Sequence, residues 1–496
     1  MATDRKKKLL RGPMCAALAL AFCLILVSDA LAQDELSADI NAALADQRLA
    51  GAQAAVSVIA TETGRILYRR NAMTPLIPAS NQKIITAAVA LRELKPDYEF
   101  KTCVLASGDV NAKEGVVRGD LVLRGGGDPS LGSPSAKEEP LAQFQRWAAT
   151  LKERGVMRVT GDLVVDDSFF DRRRVHPDWP REQLGRQYCA PVGALALNDN
   201  CVGVVVKPGN AAGEKAIASF LPLCPTLAAS VTCTTNGKRN VIVLDRRAGT
   251  NVVQIGGSVR LGSQGYTSLV TVPDPALFAG DAFAEVLRQN GIRIEGKVRP
   301  AGEEDLAGRK RWRELAVRRT PVKDVLRVML QESQNMYAET VVKTVGAEQG
   351  GEGSWDAGLR CAAGMLRDLH FKDEEFKLAD GGGMSRTNRL PPALLCAVLM
   401  DMNRSQYKGV LAELLAAPGE EGTLERRFKD PEYARRIRAK TGYLRGVGAL
   451  SGYVEAKSGL HVTFSILIND FRDPSGNLGM KDVEDRIACA IVDHAR

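Results

Sequence analysis

The sequence predicts an α/β protein whose core domain is interrupted by a long, mostly-β insert, and three observations lead to this fold class. Helix and strand patterns alternate before residue 100 and again after about residue 275. Between them, short β-like runs with glycine-rich breaks take over. At 496 residues, the chain is also longer than one hydrophobic core usually serves. We therefore expect a core domain of residues 33–97 and 276–496, and an inserted domain of residues 98–275.

The core domain is expected to begin with two antiparallel strands and a helix. Apolar and polar residues alternate at Ala54–Ile59 and again at Gly64–Tyr68 after a turn, which is typical of paired strands. A helix is expected at about residues 79–91, with Pro78 near its first turn. After the insert, the patterns return as helices at Asp281–Gln289 and Val322–Leu330, a hairpin of Gly448–Glu455 and Leu460–Ile468, and an amphipathic helix at Lys481–Ala495.

The first 32 residues are typical of a secretory signal peptide. Basic residues precede the apolar run Met14–Val27, and Ala30-Leu31-Ala32 offers small residues at the two positions that a signal peptidase reads. We predict cleavage between Ala32 and Gln33, and therefore export to the periplasmic or cell-wall space. A retained membrane anchor is the alternative, although the apolar run is short for a membrane span.

Charge and histidine content argue against two classes of function. The sequence has 67 Lys and Arg against 59 Asp and Glu, a formal net charge of +8. This excess is too small to indicate a nucleic-acid-binding protein, and at most peripheral membrane contact is expected. The four histidines form no metal-binding motif, and no cysteine pair has metal-ligand spacing. Neither a metal nor another cofactor is therefore expected.

Eight of the ten cysteines follow the predicted signal peptide. An exported chain with an even number of cysteines is expected to form disulfides. Cys224 and Cys233 flank a short segment and are the first choice for a local bridge, while Cys189 and Cys201 flank another.

The first candidate for catalysis is Ser80-Asn81-Gln82-Lys83, which places a hydroxyl and an amine three residues apart. On a helix, these two side chains share one face and can form a hydrogen bond. The positive end of the helix dipole favours an alkoxide on Ser80 and lowers the pKa of Lys83. Ser405 and Lys408 have the same spacing, so a structural serine near a solvated lysine is the alternative for either pair. Only Ser80 opens an apolar helix that a core would bury.

Two further motifs follow along the chain. Ser333-Gln334-Asn335 comes after a predicted helix, although helix capping is the commoner role for such residues and Ser475-Gly476-Asn477 matches the pattern as well. Lys440-Thr441-Gly442 occurs once, on a predicted strand at Ile437–Leu444. There Gly442 lets a ligand approach the backbone, and Lys440 offers a cation to an anionic substrate. An exposed edge-strand lysine is the alternative.

The order S-x-x-K, S-x-N, K-T-G resembles that of the penicillin-binding and β-lactamase group of serine acyl-transferases. The separation between Ser80 and Ser333 is far too long for a β-lactamase. It is similar to that in the class C low-molecular-mass penicillin-binding proteins, the D-alanyl-D-alanine carboxypeptidase/endopeptidase family. The likeness covers nearly the whole chain after the signal peptide, with matching segments at Pro78–Lys83, Gly125–Leu131, Ala190–Asn198, Asp274–Ala276 and Asp380–Arg386.

This resemblance implies a serine β-lactamase/transpeptidase-like core domain, an antiparallel sheet flanked by helices, and a further domain nested in the insert at about residues 190–260. It implies a serine-type D-alanyl-D-alanine carboxypeptidase that acts on peptidoglycan stem peptides through a Ser80 acyl-enzyme and that β-lactams acylate. Endopeptidase action stays open. The alternatives are a penicillin or peptidoglycan sensor that turns over poorly, and a β-lactamase, although an E-x-x-L-N segment is missing from the sequence.

The resemblance also implies a role for each catalytic residue. Lys83 takes the proton of Ser80, whose oxygen attacks the substrate carbonyl. Ser333 passes a proton to the leaving amine, with Lys440 in electrostatic support. Asn335 holds the amide of the acyl group.

Substrate binding is implied for four further positions. Thr441 joins Lys440 in binding the terminal carboxylate, Gly442 keeps the backbone accessible, and the Tyr443 N–H contributes to the oxyanion site. Asp166 is expected to meet the amino group of a diamino acid in the stem peptide, with a solvated turn as the alternative. The chain departs from the family at Gly382, where serine is usual, and at Tyr443, where a small or hydroxyl residue is usual. Substrate preference and turnover rate therefore stay open.

Overall fold

The computed structural model describes residues 34–236, 238–247, 249–472 and 477–496. The predicted signal peptide lies outside these residues. In the described ranges, no helix is both long and apolar enough to cross a membrane. The mixture of sheets and helices confirms the predicted α/β class.

The strands, in chain order, are β1 (Gln53–Ala60), β2 (Ile66–Arg70), β3 (Glu99–Ala106), β4 (Asp109–Asn111), β5 (Val116–Arg118), β6 (Leu121–Gly126), β7 (Arg158–Val159), β8 (Leu163–Asp166), β9 (Cys201–Lys207), β10 (Ile217–Leu221), β11 (Ala228–Val231), β12 (Thr234–Asn236), β13 (Val241–Arg246), β14 (Val252–Arg260), β15 (Tyr266–Thr271), β16 (Arg293–Ile294), β17 (Val298–Pro300), β18 (Arg313–Pro321), β19 (Ile437–Leu444), β20 (Val447–Glu455) and β21 (His461–Asn469).

The α-helices, in chain order, are α1 (residues 34–44), α2 (Gln82–Glu93), α3 (Ala142–Glu153), α4 (Pro275–Gln289), α5 (Glu303–Gly308), α6 (Val322–Gln331), α7 (Asn335–Gln349), α8 (Trp355–Asp368), α9 (Pro392–Arg404), α10 (Val410–Leu414), α11 (Pro431–Ala434) and α12 (Asn477–His494). Helix α4 begins six residues before its predicted start because Asp274 caps it, its side chain accepting the Leu277 N–H at 3.1 Å.

The chain divides into two compact units, and the first contains the described residues up to Pro78 together with Leu390–Arg496. Its sheet is antiparallel, with the strand order β19-β20-β21-β1-β2. Alternate side chains of β1 and β21, such as Val56 and Phe464, enter one apolar core with residues of α1 and α12. The K-T-G motif lies on the edge strand β19 of this unit.

The second unit, Ala79–Arg389, contains the predicted nucleophile helix and the insert. Helices α2, α6, α7 and α8 pack on one another. One five-stranded sheet has the order β17-β8-β6-β3-β18, and a four-stranded sheet has the order β16-β7-β5-β4. Strands β9–β15 form two further sheets, β10-β9-β15 and β11-β14-β12 with β13 beside β14. Six of these seven strands fall in the range of about residues 190–260 in which the resemblance implied a nested domain, and β15 lies beyond it.

The sheet of the insert takes strands from both sides of residue 275, where the predicted insert ends. Strand β18 pairs antiparallel with β3, from Arg313 opposite Ala106 to Pro321 opposite Glu99. Strand β17 pairs parallel with β8. The two compact units therefore have other boundaries than residues 97 and 275. The separate inserted domain of residues 98–275 stays a prediction.

The predicted bridge between Cys224 and Cys233 is not formed. All eight cysteines in the described part of the chain are free thiols. Cys224 and Cys233 both lie in the apolar core of the second unit, and Cys224 Sγ is 3.3 Å from the Thr226 hydroxyl. Each therefore packs as a small apolar side chain.

Candidate active site

Ser80 lies at the entrance to an apolar helix, as its sequence pattern predicts. It occupies the short 3-10 turn Ala79–Asn81 directly before α2, and α2 is buried from Gln82 to Leu91. Ala79 has a φ of +46°. A Cβ built on Gly383 would lie only 1.8 Å from the Ala79 carbonyl oxygen. Gly383 thus packs closely against Ala79, which has a backbone conformation that L-residues rarely adopt and directly precedes Ser80.

Lys83 is fully buried and lies three residues after Ser80. Its Nζ atom is 3.1 Å from Ser80 Oγ, 2.7 Å from Asn335 Oδ1 and 2.7 Å from the Gly382 carbonyl oxygen. Asn335 Nδ2 donates to the Tyr188 carbonyl at 2.9 Å, which assigns the oxygen end of the amide to the lysine. Two of the three neighbours of Nζ are therefore acceptors only.

This geometry suits a neutral amine beside the serine. Nζ donates to all three oxygens when Lys83 is protonated. After loss of one proton, its two N–H bonds can stay on the two carbonyl-type oxygens, and its lone pair then faces the Ser80 hydroxyl. Burial lowers the pKa of Lys83 to about 8, against the charges of Glu339 and Asp380, which raise it. The amine can therefore accept a proton from the hydroxyl at mildly alkaline pH without leaving its place.

The Ser333-Gln334-Asn335 segment joins α6 to α7. Ser333 is half-buried and has a left-handed φ of +59°. Gln334 caps α7, since its side-chain oxygen accepts the Met336 N–H at 3.3 Å. The capping role considered for this motif therefore belongs to its middle residue, whereas Asn335, the first residue of α7, is directed to Lys83.

A buried carboxylate from the insert holds this segment, and sequence reasoning missed it. Gln334 Nε2 donates to Asp199 Oδ2 at 3.1 Å, and Asp199 also accepts the Ser133 hydroxyl. The three residues Asn198, Asp199 and Asn200 have left-handed φ values of 53°, 56° and 53°. Such a run persists only where the surroundings fix it. The polar Asn-Asp-Asn sequence next to the family-like run was the available signal.

Two further carboxylates near Lys83 are buried: Glu339, which sequence reasoning missed, and Asp380, which was expected only as the first residue of a family-like segment. Glu339 accepts the backbone N–H groups of Gly381 and Gly382 at 2.8 and 2.7 Å. Asp380 accepts the Gly383 N–H at 2.8 Å. Together they hold the loop whose carbonyl accepts from Lys83. The spacing of Glu339, four residues after Asn335 on a helix, was the signal that could have placed it on the same face.

Lys440, Thr441, Gly442 and Tyr443 lie on β19 of the first unit, whereas Ser80, Lys83, Ser333 and Asn335 lie in the second. Lys440 is fully buried, so the alternative of an exposed edge-strand lysine is wrong. Its Nζ donates to the Thr441 carbonyl at 2.8 Å. Tyr443, by contrast, is 48% exposed.

Asp166 ends β8 and is buried, so it is not part of a solvated turn. Its Oδ1 accepts the Ser168 N–H at 3.0 Å. It lines a cavity of about 280 Å³ whose wall also contains Lys101, Arg124 and Glu348. The surroundings of Asp166 therefore include charges of both signs.

The competing Ser405 pattern has a different setting. Ser405 ends α9, and its hydroxyl donates to the Met402 carbonyl at 3.2 Å. Lys408 is exposed, unlike Lys83. Ser475, in the second S-x-N pattern, lies outside the described residues.

A serine hydroxyl beside a buried lysine amine, at the start of a buried helix, places a nucleophile next to a potential base, as a serine hydrolase requires. The sequence profile of the D-Ala-D-Ala carboxypeptidase 3 (S13) family matches residues 36–490, and the chain belongs to this family of serine-type peptidases. This finding confirms the resemblance seen in the order of the motifs.

Individual relatives agree with the family. The chain is 33% identical over 478 residues to a D-alanyl-D-alanine carboxypeptidase of Actinomadura sp. strain R39, covering 93% of this chain and 85% of that protein. It is 26% identical over 416 residues to the D-alanyl-D-alanine carboxypeptidase DacB of Haemophilus influenzae, covering 82% and 83%. The crystal structure of penicillin binding protein 4 from H. influenzae shares the fold, with a TM-score of 0.77 at 23% identity over 92% of this chain and 99% of that one.

Proposed function

We propose that this chain removes the C-terminal D-alanine from peptidoglycan stem peptides that end in D-Ala-D-Ala, through an acyl ester on Ser80. The observation that carries the proposal is the buried Lys83 amine, whose Nζ lies 3.1 Å from Ser80 Oγ and also donates to the Asn335 and Gly382 oxygens. The substrate class is supported by the relatives in Actinomadura and H. influenzae, which are named D-alanyl-D-alanine carboxypeptidases.

In the proposed acylation step, Lys83 takes the proton of Ser80 while Oγ attacks the carbonyl carbon of the penultimate D-alanine. The backbone N–H groups of Ser80 and Tyr443 are assigned to the oxyanion. As the C–N bond breaks, Ser333, supported by the charge of Lys440, delivers a proton to the leaving D-alanine amine. Lys83 then returns a proton to Ser333 and is neutral again. Water hydrolyses the ester, and the proton that it loses passes to the lysine amine and from there to Ser80 Oγ as the ester bond breaks.

We assign two roles to Asn335: it binds Lys83 before the substrate arrives, and it also binds the substrate. Both ends of its amide already have partners, since Oδ1 accepts from Lys83 and Nδ2 donates to the Tyr188 carbonyl. To hold the amide of the acyl group, Nδ2 exchanges the Tyr188 carbonyl for a substrate carbonyl. The energetic cost of that exchange is small because one neutral hydrogen bond replaces another.

The substrate's terminal carboxylate is assigned to Lys440 and Thr441, with Gly442 leaving the backbone accessible beside them. Asp166 is assigned to the amino group of a diamino acid in the stem peptide. The cavity beside Asp166 supports this assignment to the extent that an ammonium group there meets the carboxylates of Asp166 and Glu348, against the cations Lys101 and Arg124 in the same wall.

β-Lactams are proposed to acylate the same serine. A penicillin binding protein 4 of the same fold has been solved in complex with a β-lactam. The signal-peptide pattern of the first 32 residues supports export, and we propose the periplasmic or cell-wall space as the site of action.

Two measurements on the purified chain test the proposed reaction. D-Alanine release from a D-Ala-D-Ala peptide is expected for the parent and not for Ser80→Ala. A fluorescent penicillin should label the parent and Ser405→Ala but not Ser80→Ala. Labelling retained in Ser80→Ala contradicts the assignment of the nucleophile. Labelling of the parent without D-alanine release would favour a sensor, and rapid penicillin hydrolysis a β-lactamase.

A further inference from the structure

A buried carboxylate lies against the loop that holds Lys83, outside all three sequence motifs. Glu339 is on α7 and is fully buried. Its Oε1 accepts the Gly382 N–H at 2.7 Å, and its Oε2 accepts the Gly381 N–H and the Trp355 Nε1–H, both at 2.8 Å. These three partners are all donors, which suits the ionised carboxylate because that form only accepts.

Gly382 links this carboxylate to the lysine. Its N–H goes to Glu339, and its carbonyl accepts from Lys83 Nζ at 2.7 Å. A Cβ at this position would lie 2.7 Å from Glu339 Oε1 and 3.5 Å from Lys83 Nζ. Because Gly382 has no side chain, its peptide can lie between the Glu339 carboxylate and the Lys83 amine within hydrogen-bond distance of both.

We propose that Glu339 is a positioning residue for acylation, which fixes the Gly381–Gly382 peptide as an acceptor for Lys83 and whose negative charge sets the pH range in which Lys83 acts as a base. The inference rests on the proposed function, in which Lys83 takes the proton of Ser80. It adds a residue that touches neither substrate nor nucleophile.

The charges around Lys83 decide whether removing the charge of Glu339 raises or lowers the pKa of the lysine. Burial lowers the pKa of Lys83, and the charges of Glu339 and Asp380 raise it. Burial and the charge of Asp380 raise the pKa of Glu339 to about 8, and its three N–H donors offset only part of that rise. Without the charge of Glu339, burial dominates, so Lys83 loses its proton at lower pH.

Other titratable groups of the second unit contact Trp355, whose Nε1–H donates to Glu339. Lys343, one turn further along α7, has its Nζ 4.3 Å from the Trp355 ring centre and 2.5 Å from Asp171 Oδ1. The ring of His176 lies 5.3 Å from that of Trp355. Burial lowers the pKa of Lys343 and the charge of Glu339 acts against that shift, so this second cluster interacts electrostatically with Glu339.

The test is the pH dependence of acylation by a fluorescent penicillin, measured on the full chain. The rate constant of the parent is expected to rise with pH as Lys83 becomes neutral. In Glu339→Gln, the midpoint of this rise should move down by about one to two pH units. Asp356→Asn is the matched control, since Asp356 is an exposed carboxylate of α8 that lies 3.4 Å from Arg173. Its midpoint should equal that of the parent.

A folded Glu339→Gln variant with the parent midpoint overturns the inference. If this variant does not fold, Glu339→Asp provides the test, because it keeps the charge but shortens the reach by one methylene. Its midpoint should stay near that of the parent while the plateau rate falls, and an unchanged plateau overturns the positioning role. Failure of the proposed function gives a different result, since the parent is then unlabelled or Ser80→Ala retains the label.

Discussion

Lys83 Nζ lies 2.7 Å from Asn335 Oδ1, which joins two residues 252 positions apart in the chain. The contact connects the first residue of α7 to the first turn of α2, and both helices are buried at this point. An amide oxygen is a neutral acceptor, so it orients the amine without adding a charge that would hold a proton there. The contact therefore holds the Lys83 amine in place and still allows it to be neutral and ready to accept a proton.

The first prediction concerns a variant in which the neutral amide of Asn335 is replaced by a charged carboxylate. In Asn335→Asp, a carboxylate beside Lys83 stabilises the ammonium form and therefore raises the pKa of the lysine. A charge at this distance is expected to raise the pKa by about one to three units. The pH midpoint of penicillin acylation should therefore move up, opposite to the shift expected for Glu339→Gln. Stopped acylation at neutral pH with recovery at high pH is the expected profile. A midpoint below that of the parent would contradict the role of Asn335.

The second prediction concerns the proton acceptor itself. Lys83→Arg keeps a cation and hydrogen-bond donors at the site, but a guanidinium does not lose its proton at usable pH. We expect this variant to fold and to bind penicillin weakly without forming the ester. Intact-protein mass spectrometry after incubation with penicillin should show no added mass. Acylation near the parent rate would place the base elsewhere.

The sequence predicted the site where a local pattern was sufficient. The apolar run after Ser80 predicted a buried helix, and α2 is buried from Gln82 to Leu91. That burial is also the main cause of the lowered pKa of Lys83. A serine–lysine contact within one helical turn is a short-range property, so spacing and apolarity together were enough to indicate it.

Long-range partners could not be predicted in this way. Helix α7 is buried on all sides from Asn335 to Gly346, so no local pattern indicates that Glu339 meets the peptide of Gly382, 43 residues later. The same holds for Asp199 and Gln334, which are 135 residues apart. These contacts depend on how the helices and the insert pack, and no local propensity encodes that packing.

Strand β18 was missed for another reason. Its sequence contains several arginines, and only Leu315, Ala316 and Thr320 are buried along it. The alternation that identifies a half-buried strand is therefore weak. Since β18 was not expected, the predicted insert ended before the strand that completes its sheet.

The third prediction concerns stability and a buried ion pair of the first unit. Arg427 Nη1 lies 3.0 Å from Glu484 Oε2 and Nη2 lies 2.5 Å from Asp485 Oδ1. Burial already raises the pKa of Glu484 to about 7 although Arg427 lowers it. Arg427→Ala leaves this carboxylate buried without its partner, so unfolding in urea should show a loss of about 3–5 kcal/mol.

The pH dependence of that loss has a definite sign. A carboxyl group whose pKa is raised in the folded state destabilises the fold above its unfolded pKa, and this cost disappears as the group becomes protonated. The destabilisation by Arg427→Ala should therefore be smaller at pH 5 than at pH 8. Arg426→Ala, at an exposed neighbouring arginine, is the control and should change the free energy of unfolding by no more than about 0.5 kcal/mol. A loss that is independent of pH would show that Glu484 is not its cause.

The last prediction is that Thr441 recognises the free carboxylate at the end of the substrate. The proposal assigns the carboxylate to Lys440 and Thr441, and a charge-assisted hydrogen bond contributes about 1.5–3 kcal/mol, so its loss should lower kcat/KM roughly ten- to a hundredfold. Thr441→Val keeps the size and β-branching of the side chain, so it should preserve β19 while removing the hydroxyl. We expect this variant to lose most of its activity on a D-Ala-D-Ala peptide and little on the same peptide with an amidated C-terminus, which the parent should already cleave poorly. Equal losses on both peptides would mean that Thr441 shapes the strand or the oxyanion site and does not bind the carboxylate.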